Sequence, residues 1–340
     1  MKYMRMGLVL FLFQASAIFA EVLTISSFDR GGKLTFDSIT NAASYRVEWA
    51  SSPSGPWTNS WTALTHITAP TNGSVTCSVP MFYRVVAEMG IPMVQITAGT
   101  NAGTDPDFGA YSLTVIAFYM DETEITKRQW NTVKIWAEAN GYSFDNPGAG
   151  KGDNHPVEWV NWYDCIKWCN ARSEREGLTP YYTMSNSVYR VGQITPDRNF
   201  SANGYRLPMT TEWEYAARGG LVSQRFAWGN TITHDQANYD SRPDLNSYDL
   251  NTSPGYHPLY NTGSGTYPYS APVRSFASNG YGLYEMMGNM SEWCWSPAAT
   301  KPLKGGSWWD KASGARCRYS RSIAPDSQGT DTGFRTIRNQ

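Results

Sequence analysis

The stretch most suited to chemistry is "LKGGSWWDKASGARCRYSRS", from Leu303 to Ser322. It joins a Gly-Gly-Ser turn to two tryptophans, an aspartate, a cysteine and several arginines. A cysteine thiolate is both a nucleophile and a ligand for soft metals. Aromatic rings beside charged side chains line many binding grooves. The residues predicted to form such a groove are Ser307, Trp308, Trp309, Asp310, Arg318 and Arg321.

The arginines of this C-terminal region allow a second interpretation. Arg318, Arg321 and Arg335 could instead be buried and paired with Glu212, Glu214 or Glu292. We favour this scaffold role for Arg335. For the other two, the sequence does not separate it from a groove that receives a peptide or an anionic glycan.

Other common chemistries have little support. The chain has 4 histidines, and no two share the spacing of a metal site. Gly305-Gly306 lacks the lysine of a phosphate-binding loop, and no histidine close in sequence could activate Ser307. The formal net charge is −1, so bulk electrostatics do not attract nucleic acid.

Three helices are predicted to support this region. The first lies between a Thr126 cap and Asn140-Gly141, and the second, within "NWYDCIKWCNARSEREG", ends at Gly177. Thr211 is the expected start of the third, in "TTEWEYAARGG". The remainder is mostly Gly, Asn, Ser, Pro, Trp and Tyr, which indicates a loop-rich domain.

The N-terminal region has a different pattern. Residues 1–20 carry Lys2 and Arg5, an apolar run and small residues at Ala15, Ala17 and Ala20, which is typical of a secretory signal peptide cleaved after Ala17 or Ala20. We therefore expect a secreted or periplasmic protein with no membrane attachment once the signal is removed. Residues 21–89 alternate apolar and polar residues between turns and predict a small β-sandwich similar to fibronectin type III modules.

Several segments, taken in order, resemble the formylglycine-generating enzyme, or sulfatase-modifying factor, family. They are "FYMDETEITKRQW", "HPVEWVNWYDCIKWCN", "YRLPMTTEWEYAARGG", "FAWGN", "NGYGLYEMMGNMSEWCW", "LKGGSWW" and "PDSQGTDTGFR". The resemblance assigns residues 91–340 to the family domain. It implies an α+β, C-type-lectin-like fold with little regular secondary structure.

Members of the family oxidise a sulfatase cysteine to formylglycine with copper and oxygen. Their two copper cysteines stand three and eight residues after the serine of the Gly-Gly-Ser loop, and those places hold Asp310 and Ala315 here. Copper is therefore not expected. The resemblance also implies a disulfide between Cys169 and Cys317.

Calcium is the second cofactor that the resemblance implies. Its ligands would be the side chains of Glu285 and Glu292 and the carbonyls of Gly288 and Met290, because calcium takes oxygen ligands. A second calcium site would begin at Asn238 and Tyr239, but no carboxylate stands near Gly265, where a later ligand should fall.

The leading hypothesis is an exported family member without the copper pair. It would be a calcium-stabilised module that binds a peptide, protein or glycan, or an enzyme of unknown chemistry. One alternative is a formylglycine-generating oxidase that acts on exported sulfatases. Another is a lectin-like recognition protein with a diversified loop from Trp308 to Arg335.

Overall fold

The computed structural model describes residues 20–28, 34–36, 42–50, 53–57, 82–260 and 269–340. The predicted signal peptide, apart from Ala20, lies outside them. The chain divides into two compact units, Met1–Ile91 and Pro92–Gln340. None of the described helices is long and apolar enough to cross a membrane.

The first unit contains β-structure among its described residues. Its strands are β1 (Ala20–Leu23), β2 (Ile25–Phe28), β3 (Leu34–Phe36), β4 (Ala42–Ala50) and β5 (Phe82–Met89). Strand β5 pairs antiparallel with both β1 and β4, and β2 pairs with β3. Much of the predicted β-sandwich lies outside the described residues, so its type stays a prediction.

The second unit combines three helices with many short strands. The helices are α1 (Lys127–Ala139), α2 (Trp162–Arg175) and α3 (Thr210–Ala217). The strands are β6 (Met93–Ile96), β7 (Gly99–Asp105), β8 (Gly109–Val115), β9 (Phe118–Asp121), β10 (Tyr182–Met184), β11 (Ser187–Val188), β12 (Asp197–Arg198), β13 (Tyr205–Arg206), β14 (Ser291–Trp293), β15 (Lys301–Lys304), β16 (Ser320–Ile323), β17 (Thr332–Gly333) and β18 (Ile337–Asn339).

The first two helices begin and end as their sequences predict. Thr126 and Gln129 form a capping box at the start of α1, in which each side chain accepts the other's backbone N–H. Asn161 and Asp164 do the same for α2.

The start predicted for α3 is wrong by two residues. Met209, not Thr211, precedes the helix, and it offers no side-chain oxygen. The carboxylate of Glu212 reaches back instead and accepts the backbone N–H of Met209 at 2.8 Å. A buried glutamate inside the first turn therefore does the work of a cap.

A four-stranded sheet, in the order β13-β18-β9-β6, joins the two ends of the second unit. Ile337 of β18 stands opposite Met120 of β9, and both are fully buried. Asp121 at the end of β9 accepts bonds from Thr336 and from Arg172 of α2. The C-terminal strand thus lies in the interior of the sheet.

A second sheet, in the order β16-β15-β14-β17, positions the Gly-Gly-Ser loop. Strand β15 leads directly into that loop. Strand β14 pairs with β15 and, in parallel, with β17. Side chains from Ser291, Ser307 and Arg321 are brought together by this arrangement.

Candidate functional site

The predicted groove is centred on the carboxylate of Asp310. Its Oδ2 accepts hydrogen bonds from the hydroxyls of Ser307 at 2.7 Å and Ser291 at 3.3 Å. Both serines are buried, whereas Asp310 is partly exposed. The tight turn before it needs glycine, because Gly306 has φ 68° and a side chain there would meet the Gly314 backbone at 2.8 Å.

An ion pair forms the next part of the site. Arg321 donates to Asp331 at 2.7 Å and to the Ser291 hydroxyl at 3.3 Å. Asp310 and Asp331 raise the pKa of Arg321 against the opposing effect of burial, which is the largest influence. Asp310, Ser291, Arg321 and Asp331 therefore form one continuous polar strip.

Aromatic rings cover one side of this strip. Trp308 is buried, and its indole N–H donates to the carbonyl of Thr330. Trp309 is 50% exposed, and its ring lies 5.9 Å from that of Tyr256. Trp309 is thus the member of the predicted Trp-Trp pair that a ligand can reach. The buried ring of Trp308 packs edge to face against it at 5.7 Å. We refer to Ser291, Ser307, Trp309, Asp310, Arg321, Asp331 and Tyr256 as the cleft.

The arginines separate into three environments. Arg318 donates to the carbonyls of Gly109 and Ala110 at the β7–β8 turn, so its predicted place in the groove is wrong. Arg335 is fully buried and binds both oxygens of Glu292 at 2.8 Å, which confirms its scaffold role. Of the three, only Arg321 lies in the cleft.

The two positions that hold copper cysteines in the resembling enzymes do not fit copper here. Asp310 offers a hard carboxylate that two serines already occupy, and the buried Ala315 offers no ligand atom. A Cu(I) ion prefers thiolates. Among the described residues, no group of three or more His, Cys, Asp or Glu could hold a metal ion.

The predicted Cys169–Cys317 disulfide is not present, since both residues are free, buried thiols in the structure. Their surroundings differ. Asp121 and Arg172 lie near Cys169, whereas Arg218, Glu214 and Lys304 lie near Cys317. A disulfide needs Cβ atoms about 4 Å apart, and hence shared neighbours. Burial raises the pKa of the Cys317 thiol to about 12, so it is not a reactive thiolate.

The residues predicted to bind calcium are placed for other contacts. Arg335 holds both oxygens of Glu292, and the indole N–H of Trp213 adds a third bond at 2.7 Å. The side chain of Glu285 accepts the backbone N–H groups of Arg274 and Phe276. The N–H of Gly288 donates to the carbonyl of Gly305, and the side chain of Met290 is buried with Tyr269 and Trp308. A guanidinium therefore stands where the cation was expected, and the arrangement does not fit calcium.

The second predicted calcium site has the same difficulty. Asn238 donates through its side chain to the carbonyl of Tyr269 and to Asn289. The carbonyl of Tyr239 lies 3.0 Å from a ring nitrogen of His234, and its hydroxyl donates to Asp249. These bonds join loops to each other without an ion.

A buried group of carboxyls surrounds Arg335. Glu124 is fully buried, and its Oε2 has no hydrogen-bond partner. Burial, together with the charges of Glu285 and Glu292, holds the pKa of Glu124 well above its usual value. Burial likewise raises the pKa of Glu285 to about 7. One arginine faces three carboxyls, which favours the protonated form of Glu124.

A model of the sulfatase-modifying factor enzyme 1-like domain matches residues 84–340. The chain belongs to this family. The family's fold is α+β and C-type-lectin-like with little regular secondary structure, as the sequence predicts. A solved structure titled CarF covers 74% of this chain and 99% of its own, with a TM-score of 0.59 and 26% identity.

Relatives in this sulfatase-modifying factor family carry several names. "Chaperone protein LppX" of Paenibacillus barcinonensis is 32% identical over 271 residues, which cover 73% of this chain and 89% of that protein. The "formylglycine-generating enzyme" of Mus musculus is 30% identical, covering 72% and 73%. "Inactive C-alpha-formylglycine-generating enzyme 2" of the same species is 28% identical, covering 73% and 84%.

Sequence reasoning missed several residues of the cleft. Ser291 and Asp331 lie inside the matched segments "GNMSEW" and "DTGFR", and a search for polar residues there could have found them. Tyr256 comes from a loop with no pattern of its own. Its contact with Trp309 depends on a fold in which residues 53 positions apart meet.

Proposed function

We propose that this family member binds a segment of another exported polypeptide at the cleft and does not generate formylglycine. The observation that carries the proposal is Asp310, which stands at a copper-cysteine position with its carboxylate held by Ser307 and Ser291. This position now carries a fixed acceptor next in sequence to the exposed indole of Trp309.

The loss of oxidase activity follows from the chemistry of the site. Copper and oxygen chemistry in the family relies on a thiolate pair, and the four cysteines among the described residues are all buried. Burial keeps their thiols protonated by raising each pKa. The relative named "inactive C-alpha-formylglycine-generating enzyme 2" supports the view that the fold persists without this activity.

A polypeptide ligand is supported by the composition of the cleft. Trp309 offers a flat apolar surface, and the polar strip beside it offers carboxylates, hydroxyls and one guanidinium. Such a mixture suits side chains and peptide groups together. The relative named as a chaperone supports a protein client. Export of the chain rests on its N-terminal sequence alone.

One experiment tests both halves of the proposal. Purified protein is incubated with a Cys-x-Pro-x-Arg peptide, copper and oxygen, and the peptide mass is expected to stay unchanged. The protein is also applied to an array of 12-residue peptides tiled over a reduced and alkylated protein, where selective binding is expected.

Trp309→Ala should lower the array signals at least fivefold. Phe200→Ala is the matched control, because Phe200 is also an exposed aromatic residue and is 68% exposed. Conversion of the cysteine, or equal binding by both variants and the wild type, would overturn the proposal.

A further inference from the structure

A short segment beside the cleft carries two side chains with no assigned role. Glu158 forms a backbone bridge with Ala149, and Trp159 follows it beside the segment that contains Asp331. The N–H of Trp159 donates to the carbonyl of Gly329 at 3.0 Å. Because Asp331 also binds Arg321 of the cleft, this segment borders the polar strip directly.

Glu158 is a buried carboxylate without a partner. It is only 4% exposed, and no described residue donates a hydrogen bond to its carboxylate or pairs with it. Lys127 lies near enough to lower its pKa, but the Lys127 ammonium donates to the carbonyl of Gly148 at 2.5 Å. Burial and the charge of Asp331 act the other way, and the pKa of Glu158 rises to about 7. The Glu158 oxygens are not fully enclosed, so a donor from outside can reach this acceptor.

Trp159 presents its indole in an unusual way. Its backbone has φ 54°, a left-handed conformation that bulky side chains rarely adopt, and the side chain is 42% exposed. The fold therefore holds a large apolar ring in solvent on a backbone conformation that is unfavourable for tryptophan. The face of an indole attracts cations as well as apolar groups.

We propose that Glu158, Trp159 and Asp331 form a subsite for the cationic side chain of a lysine or arginine in the polypeptide bound at the cleft. This inference rests on the proposed function. The carboxylates outnumber the cations: Glu158, Asp310 and Asp331 face only Lys127 and Arg321 among the charged groups named here, and each of these two cations already donates to a partner. A ligand ammonium would supply the donor that Glu158 lacks and would lie against the Trp159 ring.

The probes are acetylated, amidated seven-residue glycine peptides that contain one phenylalanine and, one to four residues away, either lysine or norleucine. Norleucine keeps the length of the lysine stem and removes the charge. Calorimetry of the wild type should show at least fivefold tighter binding of a lysine peptide than of its norleucine partner. Glu158→Gln should remove this preference and leave the norleucine peptide unaffected.

Trp159→Gly provides a second variant that is expected to fold. Glycine adopts a φ of 54° readily, so the unfolding midpoint should not fall. Lysine-peptide binding should weaken severalfold. In the wild type the lysine preference should also diminish between pH 8 and pH 6 as Glu158 takes up a proton, with Lys127 and Asp331 the charged groups that face it. Glu158→Gln should lack this dependence.

Failure of the cation subsite can be distinguished from failure of the proposed function. A lysine preference that survives in both Glu158→Gln and Trp159→Gly would overturn the subsite, while binding that still depends on Trp309 would leave the proposed function intact. If the wild type binds none of the peptides, both proposals fail.

Discussion

At the scale of single residues, the replacement of a cysteine by Asp310 changes what the Gly-Gly-Ser loop can do. A carboxylate that accepts two hydroxyl hydrogen bonds at 2.7 Å and 3.3 Å is a fixed acceptor. It cannot donate the thiolate electrons that copper chemistry requires. Recognition, the function proposed above, needs only such a fixed acceptor.

The free thiols give a prediction at this scale. Under native, non-reducing conditions, Cys169 and Cys317 should resist iodoacetamide, because both are fully buried and burial raises the pKa of each. In denaturant without reductant, both should become alkylated. Peptide mapping by mass spectrometry measures the outcome, and a linked Cys169–Cys317 peptide would contradict it.

At the scale of elements, helices were the most predictable part of the fold. The starts of α1 and α2 depend on capping residues within four positions, so local sequence contains the needed information. Helix α3 differs because the carboxylate of Glu212 serves both the Met209 N–H and the Arg206 guanidinium. The second contact is with Arg206 of strand β13, and the sequence around α3 contains no pattern that predicts it.

Glu212 should therefore be sensitive to truncation. Glu212→Ala removes the acceptor at the start of α3 and leaves Arg206, which is 5% exposed, without its ion pair. Breaking a buried pair on one side costs about 3–5 kcal/mol of unfolding free energy. Glu138→Ala, which breaks an exposed pair with Lys134, should cost under about 0.5 kcal/mol. Urea denaturation compares the two, and equal losses would show that the Glu212 pair is not buried in solution.

The cleft illustrates where sequence reasoning stops. Asp310 and Trp309 follow a recognisable loop and could be proposed from it. Arg318 and Arg321 stand three residues apart, yet one reaches the β7–β8 turn and the other the cleft. Arg321 lies in β16 opposite Leu303 of β15, whereas Arg318 precedes the strand, and this pairing is a long-range contact.

At the scale of the whole molecule, the cluster of buried carboxyls around Arg335 makes the free energy of unfolding depend on pH. The folded pKa values of Glu124 and Glu285 are raised above the ordinary glutamate value of 4.5. Folding therefore binds protons here. The stabilisation is fully present below pH 4.5 and is lost as pH rises through the folded pKa, which is about 7 for Glu285.

Thermal and urea unfolding should show this loss. Between pH 5 and pH 8 these groups should reduce the unfolding free energy by on the order of 2–3 kcal/mol. Glu124→Gln, which mimics the protonated carboxyl, should flatten the dependence, whereas Glu122→Gln, in an exposed pair with Arg274, should not. A Glu124→Gln variant with the same pH slope as the wild type would argue against a buried proton at Glu124.

The pairing of β18 with β9 also constrains how the protein is made. Arg335, Thr336 and Ile337 contact Glu292, Asp121 and Met120, so the interior sheet lacks a strand until these late residues are synthesised. Closing a loop of about two hundred residues is a slow step. A nascent chain holds Asp121 without its Thr336 contacts, and Glu292 without Arg335, until those late residues are made. Chains terminated prematurely before Arg335 would be expected to become substrates for quality-control proteases.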